Sequence, residues 1–277
     1  MAQTTEILEN YKRMSHGFPT FIKKVVVFLL EMYAYVLSRL KHFYFPKKFN
    51  WEWKLEMLLQ KYEKGTVSVC KKIIKKEMVV IDIGAHIGYY TRIFSKLVGS
   101  KGKVYAFEPS QKNFELLKKN TAHLKNVIPH NKVISDKIGM IDFYLVPGST
   151  GCHSIVASSD TQKISAESIT LDEFLKQYNV SKINLIKMDI EGGEPSAIKG
   201  MFTTINEQKN LSMIMEYYPD ALMRAYKNPE IFLQDIKNLG LTINVIAEEG
   251  KTKPADEFLT YGKLHKTGYY NLLLRRQ

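Results

Sequence analysis

The residues of this chain that can do chemistry are acids placed where apolar runs end. Asp82 sits at the end of Val79-Val80-Ile81, Glu108 follows Val104-Tyr105-Ala106-Phe107, and Asp136 follows Val133-Ile134-Ser135. Asp189 follows Ile186-Lys187-Met188, and Glu216 follows Met213-Ile214-Met215. Glu191 and Glu194 come just beyond Asp189. Carboxylates gathered on one rim can accept hydrogen bonds from hydroxyl or ammonium groups, remove protons, or ligate a hard cation such as Mg²⁺. Asp189, Glu191 and Glu216 form such an oxygen set, with Asp189 the first candidate base. His153, in the loop over 148–159, is an alternative base. The plainer reading of Asp189 and Glu194 is that acids are favoured at a helix N-terminus.

The elements that position these acids read clearly. Residues 79–83 are a β-branched run, the mark of a strand buried on both faces. The run breaks at Gly84-Ala85, and a helix is expected over 88–97, closed by Gly99. Small residues at such a turn let backbone N–H groups approach a ligand, and the helix aims its positive end there. Asp82 beside the turn suits an ammonium and repels a pyrophosphate. The spacing also fails the dinucleotide fingerprint, because His86 stands where G-x-G-x-x-G needs its middle glycine. Glu108, ending the second strand-like run, is placed to accept from ribose hydroxyls. Together the two acids match S-adenosylmethionine, amine to Asp82 and ribose to Glu108. Asp136 is placed for the adenine amino group. The expected cofactor site is therefore Asp82, Gly84, Ala85, His86, Gly88, Tyr90, Thr91, Glu108, Pro109, Ser110, Ser135, Asp136 and Asp189.

At 277 residues the chain supports one large α/β domain with an appendage. Net charge is +12, from 40 Lys and Arg against 28 Asp and Glu, which favours anionic partners. Cys70 and Cys152 are too few for a zinc or disulfide framework and suit a reducing compartment. No cleavable signal peptide is expected, since the first apolar run begins near Phe18 and lacks a small-residue cleavage site. Residues 1–65 read as a helical appendage: an apolar helix over 18–45, a break at Pro46, and an amphipathic helix over 51–64 ending at Gly65. Residues 66–277 read as the catalytic domain. After a helix over 68–75, the strands fall over 79–83, 103–107, 127–134, 183–188, 211–215, 241–247 and 269–274. A hairpin partner is expected over 140–146, turned at Lys137-Ile138-Gly139, and 147–168 reads as a loop over the site. The helices between strands fall over 111–124, 171–178 (capped by Thr170), 196–205 and 229–239. Strands alternating with helices predict a mostly parallel, seven-stranded sheet covered on both faces, with ligands at the strands' carboxyl ends.

In the first helix, Lys24, Glu31 and Ser38 share one narrow line and nearly everything else is apolar. Its centre, 25–37, carries one charge, Glu31, and is shorter than the roughly twenty residues a bilayer needs. Lys23, Lys24, Arg39, Lys41, Lys47 and Lys48 bracket it, and Phe43, Tyr44, Phe45, Trp51 and Trp53 cluster at its exit. Basic flanks and amphipathic aromatics predict peripheral attachment to an anionic membrane, on the cytoplasmic side at its inner face. Docking onto the protein's own core is the competing reading.

Five motifs carry a family resemblance. They are Asp82-Ile83-Gly84-Ala85-His86-Ile87-Gly88-Tyr89-Tyr90-Thr91, Phe107-Glu108-Pro109, Ser135-Asp136-Lys137-Ile138-Gly139, Thr170-Leu171-Asp172-Glu173-Phe174, and the run from Ile186 through Asp189-Ile190-Glu191 to Glu194. In order and spacing they resemble the FkbM family of S-adenosylmethionine-dependent methyltransferases over about residues 68–275, leaving the first helix outside. The resemblance implies a Rossmann-like methyltransferase fold and methylation of a hydroxyl on a sugar, glycolipid or secondary metabolite. The chain departs from the family pattern at His86, where asparagine is common, and at Tyr217-Tyr218, where a histidine is frequent. A small-molecule, glycan or glycolipid acceptor is therefore expected. A nucleic-acid methyltransferase is the first rival, suggested by the charge, but methylation of a base nitrogen usually goes with an Asn/Asp-Pro-Pro-aromatic turn where this chain has Asp-Ile-Glu-Gly. A silent membrane-bound module is the second, and intact Asp82, Gly84, Glu108 and Asp189 speak against it. Oligomeric state has no signal in the sequence.

Overall fold

A strand that carries only β-branched residues and one acid must be covered on both faces, and β1 (Val79–Ile83) is central in the sheet. It pairs in parallel with β2 (Lys103–Phe107) on one side and β7 (Leu185–Met188) on the other. The computed structural model describes residues 6–158, 160–226, 228–255 and 268–276. Ser159, the expected end of the site loop, lies outside them, as do residues 1–5 of the expected appendage.

The eight-stranded sheet continues outward from β2 to β3 (Val127–His130) and from β7 to β8 (Ser212–Tyr217). Beyond β8 come β11 (Tyr270–Arg276), β9 (Leu241–Ile246) and the short β10 (Thr252–Pro254), all antiparallel to their neighbours. Helices α5 (Tyr89–Val98), α6 (Gln111–Thr121) and α4 (Lys64–Ile73) belong with one face. Helices α7 (Leu171–Gln177), α8 (Glu194–Lys199), α9 (Phe202–Glu207) and α11 (Pro229–Asn238) belong with the other. Alternation along β1 divides the core accordingly: Ile81 and Ile83 join Phe174, Ile198 and Phe232, whereas Val80 joins Val69, Phe94 and Leu273. This is the expected Rossmann-like methyltransferase architecture, with an added edge strand.

Several sequence boundaries move for physical reasons. The third strand expected over 127–134 splits, because the Asn131 side chain donates to the carbonyls of Glu108 and Pro109 and turns the chain off the main sheet. Its remainder, β4 (Val133–Ile134), joins a separate three-stranded sheet with β5 (Gly139–Leu145) and β6 (Gln162–Ile169). β5 pairs with β6 rather than with the third strand, so the last third of the expected loop over 147–168 is strand. The helix expected over 196–205 breaks at Gly200-Met201 into α8 and α9, and α10 (Pro219–Tyr226) was not expected.

The N-terminal helices are α1 (Glu6–Met14), α2 (Thr20–Leu40) and α3 (Trp51–Leu58). The amphipathic helix stops at Leu58, and Gly65 lies inside α4, where a Cβ would stand 2.2 Å from the Ala247 carbonyl oxygen; close approach to β9 requires the glycine. Ala34, Trp51 and Leu55 form a small core between α2 and α3. Phe43, Met57 and Leu58 belong to the same apolar cluster as Val80 and Phe94 of the main fold. Exit aromatics expected at a membrane are thus turned inward: Phe43 and Trp51 are buried and Phe45 packs on the core, as does the neighbouring Phe49. Arg92 fastens this junction, donating to the carbonyls of Lys41 and His42 just past α2 and to that of Asn120. A guanidinium at a helix C-terminus also faces the negative end of the dipole.

Candidate active site

The turn after β1 is built against its neighbours. Gly84 has φ +78, and a Cβ there would stand 1.9 Å from the Asp189 carbonyl oxygen, so only glycine allows β1 and β7 to end side by side. The N–H groups of Gly84 and Ala85 both donate to the Phe107 carbonyl, Gly88 N–H to Ala85, and His86 N–H to Glu108 Oε2 at 2.8 Å. The amides expected to approach a ligand are therefore spent on β2 and on the turn itself. Glu108 also accepts from Ser110 N–H at 2.9 Å, so two backbone donors orient its carboxylate on a cavity wall. Burial outweighs these donors and pushes its pKa up to about 7.

Strand register assembles the acids. Met188 pairs with Met215, so the next residues stand beside one another, Asp189 just past the end of β7 and Glu216 in the last pleat of β8. Asp189, Glu191 and Glu216 each present a carboxylate oxygen within 4.8 Å of the others. Burial, then repulsion from Asp189 and Glu194, raises Glu191 to about 8. Burial and the acids Asp189 and Glu191 hold Glu216 well above the ordinary carboxylate range. Glu194 has a structural task, accepting from the N–H groups of Ile190 and Gly192 and so shaping the turn that carries Glu191. A buried cation answers the acids: Lys187 Nζ donates to Asp189 Oδ2 at 2.7 Å and stands 4.7 Å from the Tyr90 ring centroid. Desolvation opposes its charge, but the attraction of Asp189, Asp82 and Glu63 outweighs it and raises the ammonium's pKa.

These groups surround a cavity of about 770 Å³. Gly84, His86, Glu108, Pro109, Asp189, Glu191 and Glu216 line it, with His153 on the loop above. His86 Nε2 is buried with no hydrogen-bond partner among the described residues, and burial lowers its pKa to about 4. His153 Nδ1 accepts from Val146 N–H at 3.1 Å, which leaves the ring proton on Nε2. In this geometry His153 is a donor, and a proton acceptor at Nε2 would need the other tautomer, setting two N–H groups against each other. A volume of this size with an acidic wall fits a nucleoside-bearing ligand.

Other expected site residues lie off the wall. Asp82 is 0 % exposed and points to the α5 side of the sheet, where Oδ2 accepts from Thr91 Oγ1 at 2.5 Å and Oδ1 has no partner among the described residues. Strand alternation sends it beside Lys187, its register partner, instead of to the cavity where an ammonium would sit. Ala85, Gly88, Tyr90 and Ser110 support the turn from behind. Ser135 pairs with Ser168 Oγ, and the exposed Asp136 accepts from Ser196 Oγ at 2.6 Å; the cavity wall next to them is formed by Lys132, Val133 and Ile134.

The sequence reading missed two contributions. Lys187 was visible as a lone lysine inside an apolar strand run. The N-terminal wall had no sequence signal: Phe49, Trp53 and Tyr62 line the cavity, and Glu63, held at φ +44, accepts from Tyr90 Oη at 2.6 Å and Asn271 Nδ2 at 3.1 Å.

Comparison with known proteins identifies the family. The model of the methyltransferase FkbM domain matches residues 82–234. Hexuronic acid methyltransferase AglP of Haloferax volcanii is 30 % identical over 146 residues, which cover 50 % of this chain and 56 % of that protein. The 2-O-methyltransferase NoeI of Sinorhizobium fredii is 26 % identical over 206 residues, covering 69 % of this chain and 82 % of that protein. A solved structure of methyltransferase FkbM from Methylobacillus flagellatus is 15 % identical, with a TM-score of 0.46, covering 87 % of this chain and 58 % of that one. A family match over more than half of the chain, on the segment that forms the turn after β1 and the acid cluster, places this protein in the FkbM family of methyltransferases.

Proposed function

We propose that this S-adenosylmethionine-dependent methyltransferase methylates a hydroxyl of a sugar, glycolipid or lipid-linked acceptor. The observation that carries the reading is the cluster of Asp189, Glu191 and Glu216 beside the cofactor turn. Support for a sugar comes from the two relatives, one named for hexuronic acids and the other for 2-O-methylation. Bound in the cavity, S-adenosylmethionine supplies an electrophilic methyl group. Glu108 accepts from its ribose hydroxyls, and Lys132, Val133 and Ile134 border its base. Asp82 acts from behind, holding Thr91 and the turn. Asp189 takes the proton of the acceptor hydroxyl as that oxygen becomes methylated, and Lys187 keeps the carboxylate aimed. Glu191 and Glu216 hydrogen-bond the acceptor's other polar groups.

A second reading of the trio, as ligands of Mg²⁺, is favoured by the spacing of the three oxygens. Turnover abolished by EDTA and restored by Mg²⁺ would establish it; turnover untouched by EDTA leaves Asp189 as base. In the proposed division of labour, residues 66–277 hold the cofactor. Residues 1–65 add a cavity wall and make peripheral contact with the inner, cytoplasmic face of a membrane. Glycan and lipid extracts from cells with and without the protein, compared by mass, test the acceptor. A shift of one methylene in a glycan or glycolipid is expected, and its absence from both fractions would overturn the reading.

A further inference from the structure

The largest feature left unused by methyl transfer is the outer face of α2. Only Ala34 and Ser38 of this helix are buried, and Val27 and Leu30 pack partly against the small core around Trp51. The other side is open: Phe21 is 75 % exposed, Phe28 60 %, Leu29 59 % and Leu40 73 %, with Met32 and Val36 between them. At 3.6 residues per turn these side chains span an arc of roughly 120° along a helix about 30 Å long. Apolar surface of this extent on a folded protein marks a contact, since covering it removes a large unfavourable hydration. No helix of the described residues is long and apolar enough to cross a membrane, so a bilayer would meet this face lengthwise.

Charge chooses the occupant. Lys24 stands exposed at the start of α2 and Arg39 exposed at its end, while Lys41, just beyond, donates to the Leu58 carbonyl. A second copy packed face to face would set basic ends against basic ends in either orientation. An anionic lipid surface neutralises both ends at once, and the chain's net charge of +12 adds long-range attraction. We infer that α2 lies in the headgroup region of an anionic bilayer with its apolar face toward the acyl chains. The lipid-facing aromatics are Phe21 and Phe28, since those after the helix are turned into the protein. From the end of α2 the chain runs directly to Pro46, Lys48 and Phe49 on the cavity wall, so a lipid-carried acceptor would reach the site from the surface that α2 occupies. That last consequence rests on the glycolipid reading above; the docking does not.

The test is flotation of the full chain with vesicles of phosphatidylcholine, alone or with phosphatidylglycerol, beside the variant Phe21→Ser/Phe28→Ser/Leu29→Ser/Val36→Ser. These side chains face solvent, and unchanged affinity for S-adenosylhomocysteine certifies that the variant is folded. The full chain is expected to float with the anionic vesicles and not the neutral ones, and the variant to float at least about tenfold less. A folded variant that floats as well as the parent overturns the inference. So does a parent that stays down with both vesicles, and if light scattering then gives a dimer that the variant dissociates, the face belongs to a second copy. Intact flotation without methylation of any glycolipid overturns the lipid-carried acceptor and leaves the docking in place.

Discussion

Lys187 Nζ donates a 2.7 Å hydrogen bond to Asp189 Oδ2, from a side chain only 3 % exposed to a partner 29 % exposed. The ammonium is therefore fixed by the fold, while the carboxylate it aims still reaches the cavity. Asp82 is its neighbour on β1, and Glu63 of the N-terminal segment adds to its negative surroundings. One buried cation thus links the base candidate, the cofactor turn and the appendage.

Replacing Lys187 by Met leaves Asp82 and Glu63 buried without that cation. Breaking a buried pair in this way costs about 3–5 kcal/mol. Denaturant unfolding of Lys187→Met should show a loss of that order, and Asp189→Asn a smaller one, because Asp189 is partly solvated. A Lys187→Met protein as stable as the parent would show that the ammonium carries no structural charge.

Asp189→Asn should keep the cofactor and lose turnover. The expected decrease is about a hundredfold or more, the usual scale for a positioned general base. Affinity for S-adenosylhomocysteine, measured by calorimetry, should stay within about threefold, since the amide keeps the shape of the wall. Near-parental turnover would move proton removal away from this carboxylate.

Glu108 makes cofactor affinity depend on pH. Its native pKa, near 7, lies above the ordinary 4.5, so between these values the folded protein holds a proton that the unfolded chain has released. This contribution to stability is full below pH 4.5 and is lost as pH rises through 7, so the free protein should melt lower at pH 8 than at pH 6. Ribose hydroxyls prefer the ionised carboxylate, so binding should strengthen over the same interval, by up to about tenfold. Glu108→Gln should flatten the binding profile and lessen the fall in melting temperature, the remainder of which belongs to other raised acids such as Glu191. Parallel profiles for parent and variant would assign the titration to another group.

Glu63 should matter more for its hydrogen bonds than for its size. Glu63→Ala leaves the Tyr90 hydroxyl and the Asn271 amide without their buried acceptor, a cost of about 1–3 kcal/mol. Glu63→Gln retains an acceptor oxygen there and should lose less than half as much in thermal unfolding. Equal losses would point to the charge facing Lys187 as the dominant effect.

Much of this protein follows from local chemistry. The β-branched run before Gly84 has to be a covered strand, Thr170 caps α7 by accepting from Glu173 N–H, and alternating elements demand a parallel sheet. The rim of acids was legible because strand ends recur at residue types that the sequence displays directly. Tertiary structure decided which of those acids share a space. Asp189 and Glu216 meet because β7 and β8 pair with Met188 opposite Met215, a register set by long-range packing. Asp82 leaves the cavity because pleating turns it toward α5, and a shift of one residue along β1 would reverse that. The cavity's N-terminal wall was hidden for the same reason: Trp53 and Glu63 meet the cofactor fold only through chain reversals at Gln60 and Glu63, both with positive φ. For α2 the apolar composition was plain from the residues, but only its packing on Trp51 and Leu55 determined which side remained open.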